Sequence, residues 1–207
     1  MQQRLFRAPG PSIDRSFARL ERVELGQAAW IDQVPGWLAG DSGVLEALRT
    51  STNWRLGRRR MYDRTVDVPR LTASIPEDGP GHPMIPVMAS ALSERYRRAL
   101  WRHSLAYYRD GRDSVAWHGD RLTNRDDALV AVVSLGPPRR FLVRPKGGGP
   151  SRSFEAGHGT LLVMGGTCQA RFEHCVPKVA HAPARMSVML REVGTSLRSD
   201  VRRERSG

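Results

Sequence analysis

Residues 128–135 of this 207-residue chain read ALVAVVSL, and residues 160–165 read TLLVMG. Both runs are almost continuously apolar, which is typical of strands that are buried on both faces between two layers. Glycine, proline and an Asn-Arg-Asp triplet at 124–126 interrupt the sequence around them. Each run is therefore predicted to be a short β-strand in the centre of the fold.

Six further runs of this kind surround these two from residue 104 onward. They are SLAYYR (104–109), DSVAWH (113–118), RFLVRP (140–145), SRSFEAG (151–157), QARFEHC (169–175) and ARMSVMLREV (184–193). Eight short strands in succession predict a double-sheet jelly roll or a related small barrel. The expected fold class is mainly β with flanking helices (α+β).

The first half of the chain has a different texture. A short helix capped by Asp41 or Ser42 is expected to run through Leu48, and apolar residues at four-residue steps predict an amphipathic helix over 87–103. Residues 54–86 between them are rich in Arg, Pro and Gly and are expected to be irregular. The predicted division is an N-terminal segment (1–20), an N-terminal extension (21–103), a jelly-roll core (104–193) and a disordered basic tail (194–207).

The charge of the chain favours a polyanionic partner. Lys and Arg number 33 against 21 Asp and Glu, which gives a formal net charge of +12. Nucleic acid fits this excess better than a membrane surface, because neither an apolar span nor a basic amphipathic helix is visible. A monomer in the cytoplasm, associated with the nucleoid if bacterial, is expected. Two cysteines are too few for a disulfide framework.

Two strand ends carry residues that bind metals. His118 and Asp120 are two positions apart, so their side chains project from the same side of the backbone. His174 ends another predicted strand, and strand ends of a jelly roll meet at one mouth. Two imidazoles and one carboxylate form the facial triad that selects non-haem Fe(II). His181 is close enough in sequence to compete with His174 as the third ligand.

A pair of arginines on the last predicted strand suits an anionic cosubstrate. Arg185 and Arg191 share one face of that strand with Ser187 and Met189. A guanidinium can bind a carboxylate through two parallel hydrogen bonds, which lysine cannot do. A zinc hydrolase with the same three metal ligands would leave this arginine pair unexplained.

These residues resemble the AlkB-like oxidative dealkylases, which are Fe(II)/2-oxoglutarate dioxygenases. The resemblance covers roughly residues 20–192, and the order and spacing of its motifs make it specific. The matching motifs are Tyr108-Arg109-Asp110-Gly111-Arg112-Asp113-Ser114, His118-x-Asp120, Val133-Ser134-Leu135-Gly136, Arg140-Phe141-Leu142, Leu162-Val163-Met164-Gly165-Gly166, Gln169, His174-x-Val176-Pro177-Lys178 and Arg185 with Arg191.

The resemblance assigns roles to the candidate residues. It implies that His118, Asp120 and His174 hold Fe(II), with 2-oxoglutarate and O2 as cosubstrates. Arg185 would anchor the distal carboxylate of 2-oxoglutarate, with help from the residues Tyr108, Ser187 and Arg191. The implied activity is repair of N-alkylated bases in DNA, in preference to RNA, with release of an aldehyde, succinate and CO2.

Some positions depart from the family pattern. The family usually has Asn at the position of Ala106, and its arginine strand usually reads Arg-x-Asn-x-Thr-Phe-Arg, where this chain has Ser187, Met189 and Leu190. Ser187 can still donate a hydrogen bond but Ala106 cannot, so the affinity for oxoglutarate is expected to suffer. Leu122 stands where several members carry an acidic residue that contacts the base.

The resemblance also places a nucleotide-recognition lid before the core. The sequence there is NWRLGRRRMYDR (53–64), which combines aromatic and basic residues. Holding a flipped base needs a stacking partner and phosphate contacts. The predicted substrate-binding residues are Trp54, Arg58, Arg60 and Tyr62.

Two other functions remain open at this stage. An oxygenase of the same fold could act on a protein side chain or a small molecule. A catalytically silent nucleic-acid binder would bind DNA without consuming 2-oxoglutarate, and Ala106 together with Ser187 keeps this alternative open.

Overall fold

The computed structural model describes residues 10–61, 64–120 and 127–192, with the side chains of 58–61 and 64–68 left out. Three helices occur in this part of the chain: α1 (Asp41–Ser51), α2 (Met84–Tyr96) and α3 (Cys168–Arg171). The strands of the first half are β1 (Ser12–Ile13), β2 (Glu21–Gly26), β3 (Ala29–Val34), β4 (Leu38–Ala39), β5 (Arg55–Met61) and β6 (Arg64–Ile75). The strands of the second half are β7 (Arg102–Tyr108), β8 (Val115–His118), β9 (Val130–Leu135), β10 (Arg139–Pro145), β11 (Arg152–Ala156), β12 (Leu161–Gly166), β13 (Phe172–Val176) and β14 (Arg185–Arg191).

Twelve of the described strands form two facing sheets, as the jelly-roll prediction requires, and β1 pairs with β4 in a separate two-stranded sheet. The large sheet has eight strands in the order β2-β3-β12-β9-β14-β7-β6-β5, and the small one has four in the order β11-β10-β13-β8. Neighbouring strands pair in antiparallel fashion in both sheets. Each of the eight predicted runs supplies one strand, so the predicted fold class is confirmed.

The large sheet separates two apolar cores. On one face, Val133 and Leu135 pack with Leu48 of α1 and Met88 of α2. On the other face, Val132 packs with residues of the small sheet such as Phe141. Successive residues of a strand point to opposite faces, so both faces of β9 are buried, which explains its continuous apolar sequence. The space between the sheets is where the functional side chains gather.

The helix predicted over 87–103 is shorter in the structure. It ends at Tyr96 because Arg97 adopts a left-handed conformation (φ 53°) and donates its backbone N–H to the Ser93 carbonyl oxygen. This geometry terminates helices. Leu100, counted as part of the helical stripe, is still fully buried. The chain then enters β7 at Arg102, so the second half of the predicted helix is wrong.

The prediction of irregular structure over 54–86 is also wrong, since most of this region forms a hairpin. β5 pairs with β6, and β6 pairs along β7, so the hairpin extends the edge of the large sheet. β2 and β3 extend the opposite edge. The large sheet therefore runs across the predicted division at residues 103 and 104, which falls inside β7.

A buried carboxylate on β3 links that strand to its neighbour β2 and to α2. Asp32, only 1% exposed, accepts two hydrogen bonds from Arg22 (2.6 and 2.9 Å) and one from the Tyr96 hydroxyl (2.9 Å). Asp32→Ala leaves these donors without their acceptor and is expected to lower the free energy of unfolding by about 3 kcal/mol, measured by urea denaturation. Arg112→Ala removes an exposed ion pair to Asp110 and should leave the midpoint unchanged. Equal effects of the two substitutions would contradict this role.

Two expectations about the chain have different outcomes. None of the helices in the described part is long and apolar enough to cross a membrane. The predicted basic tail over 194–207 lies outside the described residues, and so do residues 1–9 of the predicted N-terminal segment.

Candidate metal and cosubstrate site

Three side chains with metal-binding atoms converge between the two sheets. His118 is the last residue of β8, Asp120 follows two positions later, and His174 of β13 lies directly opposite His118 in the ladder. Their candidate ligand atoms all lie within 4.8 Å of one another. The structure thus brings together the three residues that the sequence singled out. The two histidines, 56 positions apart in sequence, come from different strands.

The imidazole of His118 is held by its own strand. Its Nδ1 lies 2.9 Å from the carbonyl oxygen of Ala116. A carbonyl oxygen only accepts, so Nδ1 carries the proton and the lone pair of Nε2 is available to a metal. The ring of His174 is 4.3 Å from that of His118, and Phe141 stacks on its other side at 5.1 Å.

Both imidazoles are neutral at physiological pH. Burial lowers the pKa of His118, and it lowers the pKa of His174 to about 3. The positive charges of Arg70 and Arg191 also act against a proton on His174. Only the neutral imidazole binds a metal, so no proton has to be displaced from these rings.

Asp120 is ionised and held by two partners. The Nη2 atom of Arg191 lies 3.2 Å from both carboxylate oxygens, and the backbone N–H of Asp120 donates to Oε1 of Gln169 (3.3 Å). Burial raises the pKa of Asp120, but the positive charge of Arg191 is the largest opposing cause, and the net pKa lies below its usual value. Arg191 therefore positions a carboxylate ligand rather than standing free.

A cavity of about 350 Å³ opens beside this triad. The wall formed by the large sheet presents small and polar side chains: Thr72, Ser74, Ser104, Ala106, Tyr108 and Ser187. The opposite wall carries the triad together with Phe141 and Val176. Three arginines also line it: Arg55, Arg70 and Arg191. The cavity is thus polar on one side, metal-binding on the other and positively charged.

Arg185 lies next to the cavity and is only 1% exposed. Its Nη2 donates to the Ser134 hydroxyl (2.9 Å), and its guanidinium carbon lies 5.3 Å from the ring centre of Tyr108, which does line the cavity. Its Nε and Nη1 are buried without a hydrogen-bond partner in the described structure. Burial lowers the pKa of Arg185 to about 10, so it remains a cation.

The structure does not bring Trp54 into this cavity. Its indole lies 5.3 Å from the ring of Tyr107 and donates through Nε1 to the carbonyl oxygen of Arg49 (3.1 Å), beside the core that faces the helices. Arg58 and Arg60 belong to β5, but their side chains are not described, and Tyr62 lies outside the described residues. The prediction of a lid is therefore supported by the position of the hairpin and not by Trp54.

A sequence model of the 2OG-Fe(II) oxygenase superfamily matches residues 73–205, which is more than half of the chain. The chain belongs to this superfamily. The match begins in β6 and includes both strands that carry the metal-binding histidines and the strand that carries Arg185. Fe(II), 2-oxoglutarate and O2 are the metal and cosubstrates of the superfamily.

Within this superfamily, the chain is similar to named alkB homologues. The chain is 31% identical to mouse alpha-ketoglutarate-dependent dioxygenase alkB homolog 3 over 182 residues, which cover 77% of this chain and 59% of the mouse protein. It is 29% identical to the human protein of the same name over 206 residues, 87% of this chain and 72% of the human one. The chain thus spans about three fifths of the mouse relative's length.

Solved structures show the same fold at low sequence identity. A prolyl hydroxylase of Trichoplax adhaerens, in complex with a peptide of the hypoxia inducible factor oxygen degradation domain, superposes with a TM-score of 0.59 at 15% identity, covering 78% of this chain and 82% of that one. A structure titled OsALKBH1 gives a TM-score of 0.53 at 13% identity, covering 84% of this chain and 100% of that one. The jelly-roll oxygenase fold is therefore shared.

The residues of this oxygenase fit the groups its superfamily uses. Two neutral imidazoles and an ionised carboxylate are a donor set suited to Fe(II). The unpaired buried donors of Arg185 fit a carboxylate, because a guanidinium without an anion is costly inside a protein. Tyr108 and Ser187 line the cavity beside the triad and would help to hold 2-oxoglutarate there.

The Ala106 departure from the family pattern has a structural counterpart. Ala106 is cross-strand neighbour to Thr72 on one side and to Ser187 on the other. All three residues line the cavity. The two hydroxyl groups thus stand on either side of the position where the family carries an amide, and each of them can donate a hydrogen bond.

His181, the competing third ligand, is away from the metal-binding group. It is exposed and lines a separate shallow groove with Asp110 and Arg112. The pairing of His174 with His118 across the ladder places His174 at the site instead.

Several residues of the site were not predicted from the sequence. Arg70 and Arg55 were counted only as part of a basic, irregular stretch, yet both line the cavity. Gln169, noted only as part of a motif, accepts from the backbone of Asp120. If a hairpin had been predicted over 55–75, the two-residue spacing of Arg70, Thr72 and Ser74 would have placed these three polar side chains on one face of a strand.

Proposed function

We propose that this oxygenase removes alkyl groups from N-alkylated bases of nucleic acid, with DNA as its substrate. The observation that carries the proposal is the cavity beside the triad, which the hairpin of β5 and β6 helps to line and which contains three arginines. The net charge of +12 supports a polyanionic substrate. The similarity to alkB homolog 3 points in the same direction.

The iron, 2-oxoglutarate and O2 would supply the oxidising chemistry, in which the alkyl carbon gains one oxygen atom and succinate the other, and an aldehyde and CO2 leave. This chain's own residues position the reactants. His118, Asp120 and His174 hold the metal, and Arg191 keeps the Asp120 carboxylate ionised and oriented. Arg185 provides the charge that fixes the far end of the cosubstrate.

The hairpin is proposed to hold the nucleic-acid strand. It forms the free edge of the large sheet and continues directly into the cavity wall through Arg70, Thr72 and Ser74. Arg58 and Arg60 lie on its outer strand, β5, at register positions opposite Asp67 and Thr65. Arginines at this edge would bind the phosphates that flank a base inserted into the cavity.

Turnover of N-methylated oligonucleotides tests the proposal. With Fe(II) and 2-oxoglutarate supplied, the protein is expected to release formaldehyde and to restore the unmodified base, detected by mass spectrometry. A panel of methylated peptides is the matched comparison. Peptide turnover without oligonucleotide turnover would contradict the proposal, as would DNA binding without any consumption of 2-oxoglutarate.

Charge reversal in the hairpin tests its part in the same assay. Arg58→Glu/Arg60→Glu is expected to lower kcat/KM for the oligonucleotide by about tenfold or more, because the local field that concentrates the strand is inverted. Arg152→Glu/Arg171→Glu changes the total charge equally at exposed positions on β11 and at the end of α3. Equal losses in the two double variants would mean that only the total charge matters.

A further inference from the structure

Arg70 is a cation of the cavity that neither the metal site nor the cosubstrate accounts for. It belongs to β6 and lines the same cavity as His118 and His174. Its neighbour Leu71 pairs with Tyr107 on β7. Its positive charge is close enough to lower the pKa of both imidazoles, although burial is the larger cause for each. Arg70 therefore stands beside the metal-binding group.

Two donor atoms of Arg70 have no acceptor in the part of the chain that the structure describes. Its Nε and Nη1 are buried without a hydrogen-bond partner among the described residues. The other two arginines of the cavity are engaged: Arg55 pairs with Asp78, and Arg191 pairs with Asp120. A buried guanidinium of this kind is costly until an acceptor reaches it, so its donors favour a ligand that brings one.

The acidic groups of the cavity cannot offset this charge. Among the described lining residues, the carboxylates are those of Asp78 and Asp120. Asp78 accepts from Arg55 and from the Ser74 backbone N–H, and Asp120 belongs to the metal-binding group. A cationic ligand beside the metal would thus meet a like charge on Arg70, and both carboxylates of the described lining already have other partners.

We propose that Arg70 selects alkylated bases that are neutral and carry a carbonyl oxygen next to the alkylated nitrogen. N1-methylguanine and N3-methylthymine have this chemistry, whereas N1-methyladenine and N3-methylcytosine are cations at neutral pH. The guanidinium donates to the carbonyl oxygen in the first class and repels the second. This inference rests on the proposed function and names the substrate class within it.

Four oligonucleotides of one sequence, each with one of these bases, test the inference. The wild-type protein is expected to process the two neutral bases with a kcat/KM about tenfold higher than the two cationic ones. Arg70→Gln should remove the repulsion and bring the two classes to within about twofold of each other. Arg70→Lys keeps the charge, so it should still discriminate against cations while losing rate on the neutral bases.

Controls separate selectivity from damage to the site. Arg152→Gln removes an exposed arginine of β11 and should leave all four values unchanged. The rise in Tm on adding Mn(II) and 2-oxoglutarate should be the same for Arg70→Gln as for the wild type, because Arg70 is assigned to neither ligand.

Each contrary result has a distinct meaning. Equal losses of Arg70→Gln on all four oligonucleotides would identify a phosphate contact and overturn the inference. A wild-type preference for the cationic bases would overturn it as well, while leaving the proposed function intact. Turnover of none of the four, while succinate is still released, would overturn both.

Discussion

Replacing His118 with alanine is expected to abolish succinate release and to weaken metal binding by more than about 100-fold. Three protein ligands are available for the metal, and the Ala116 carbonyl holds the His118 ring with its Nε2 toward the other two. Asp120→Ala should have the same effect, because it removes the negatively charged ligand. Metal affinity measured by titration with Mn(II), together with succinate release, provides the readout.

The matched control is His181→Ala. His181 is the histidine that lies close enough in sequence to compete with His174, which the sequence context favours, and the structure places His181 in a different groove. Its removal should leave metal affinity and succinate release unchanged. Binding of a methylated oligonucleotide should survive in all three variants, since the hairpin proposed to hold the strand contains none of these residues. Normal turnover by His118→Ala, or loss of turnover by His181→Ala, would refute the ligand assignment.

The sequence predicted the core of the molecule because local patterns decide it. β9 and β12 are buried on both faces, and their continuous apolar runs reveal this directly. The metal-binding group could be predicted from the sequence for a related reason. Because His118 and Asp120 are two positions apart at the end of a strand, their side chains project from the same side of the backbone. The pairing of strands in the jelly roll then places His174 opposite His118.

The N-terminal half was predicted poorly because non-local pairing determines it. β6 contains Pro69 and several charged residues, which disfavour a strand by propensity, but the register with β7 stabilises it as part of a sheet. The end of α2 depends on the left-handed conformation of Arg97, a residue type that gives no signal of it. Trp54 was predicted to bind substrate because its sequence neighbours are basic. Its contact with Tyr107 depends on the assembly of the sheet, which the local sequence does not reveal.

Arg70 escaped prediction for the same reason. In sequence it is one arginine among the 33 basic residues of the chain, and only the pairing of β6 with β7 brings it into the cavity. Composition indicated an anionic partner but could not separate arginines that form ion pairs from those that remain unpaired. The structure makes this distinction, since Arg55 has Asp78 and Arg191 has Asp120.

Replacing Arg185 with methionine is expected to raise the KM for 2-oxoglutarate by about 100-fold or more, because a buried carboxylate would lose its charged partner. The free protein should not lose stability, since the substitution removes a buried cation with two unpaired donors and replaces it with a flexible apolar side chain. Loss of cosubstrate binding is thus expected without loss of the fold. KM values from succinate release and the Tm of the free protein measure the two effects.

Ligand-induced stabilisation makes the separation quantitative. At a concentration 100 times its Kd, 2-oxoglutarate should stabilise the wild-type protein by about 2.7 kcal/mol, and at that same concentration it should stabilise Arg185→Met by less than about 0.5 kcal/mol. Arg185→Lys keeps a positive charge but loses the two-point geometry, so its KM should fall between the other two. An unchanged KM in Arg185→Met would mean that another cation anchors the cosubstrate. A large fall in Tm without a change in KM would make Arg185 a purely structural residue.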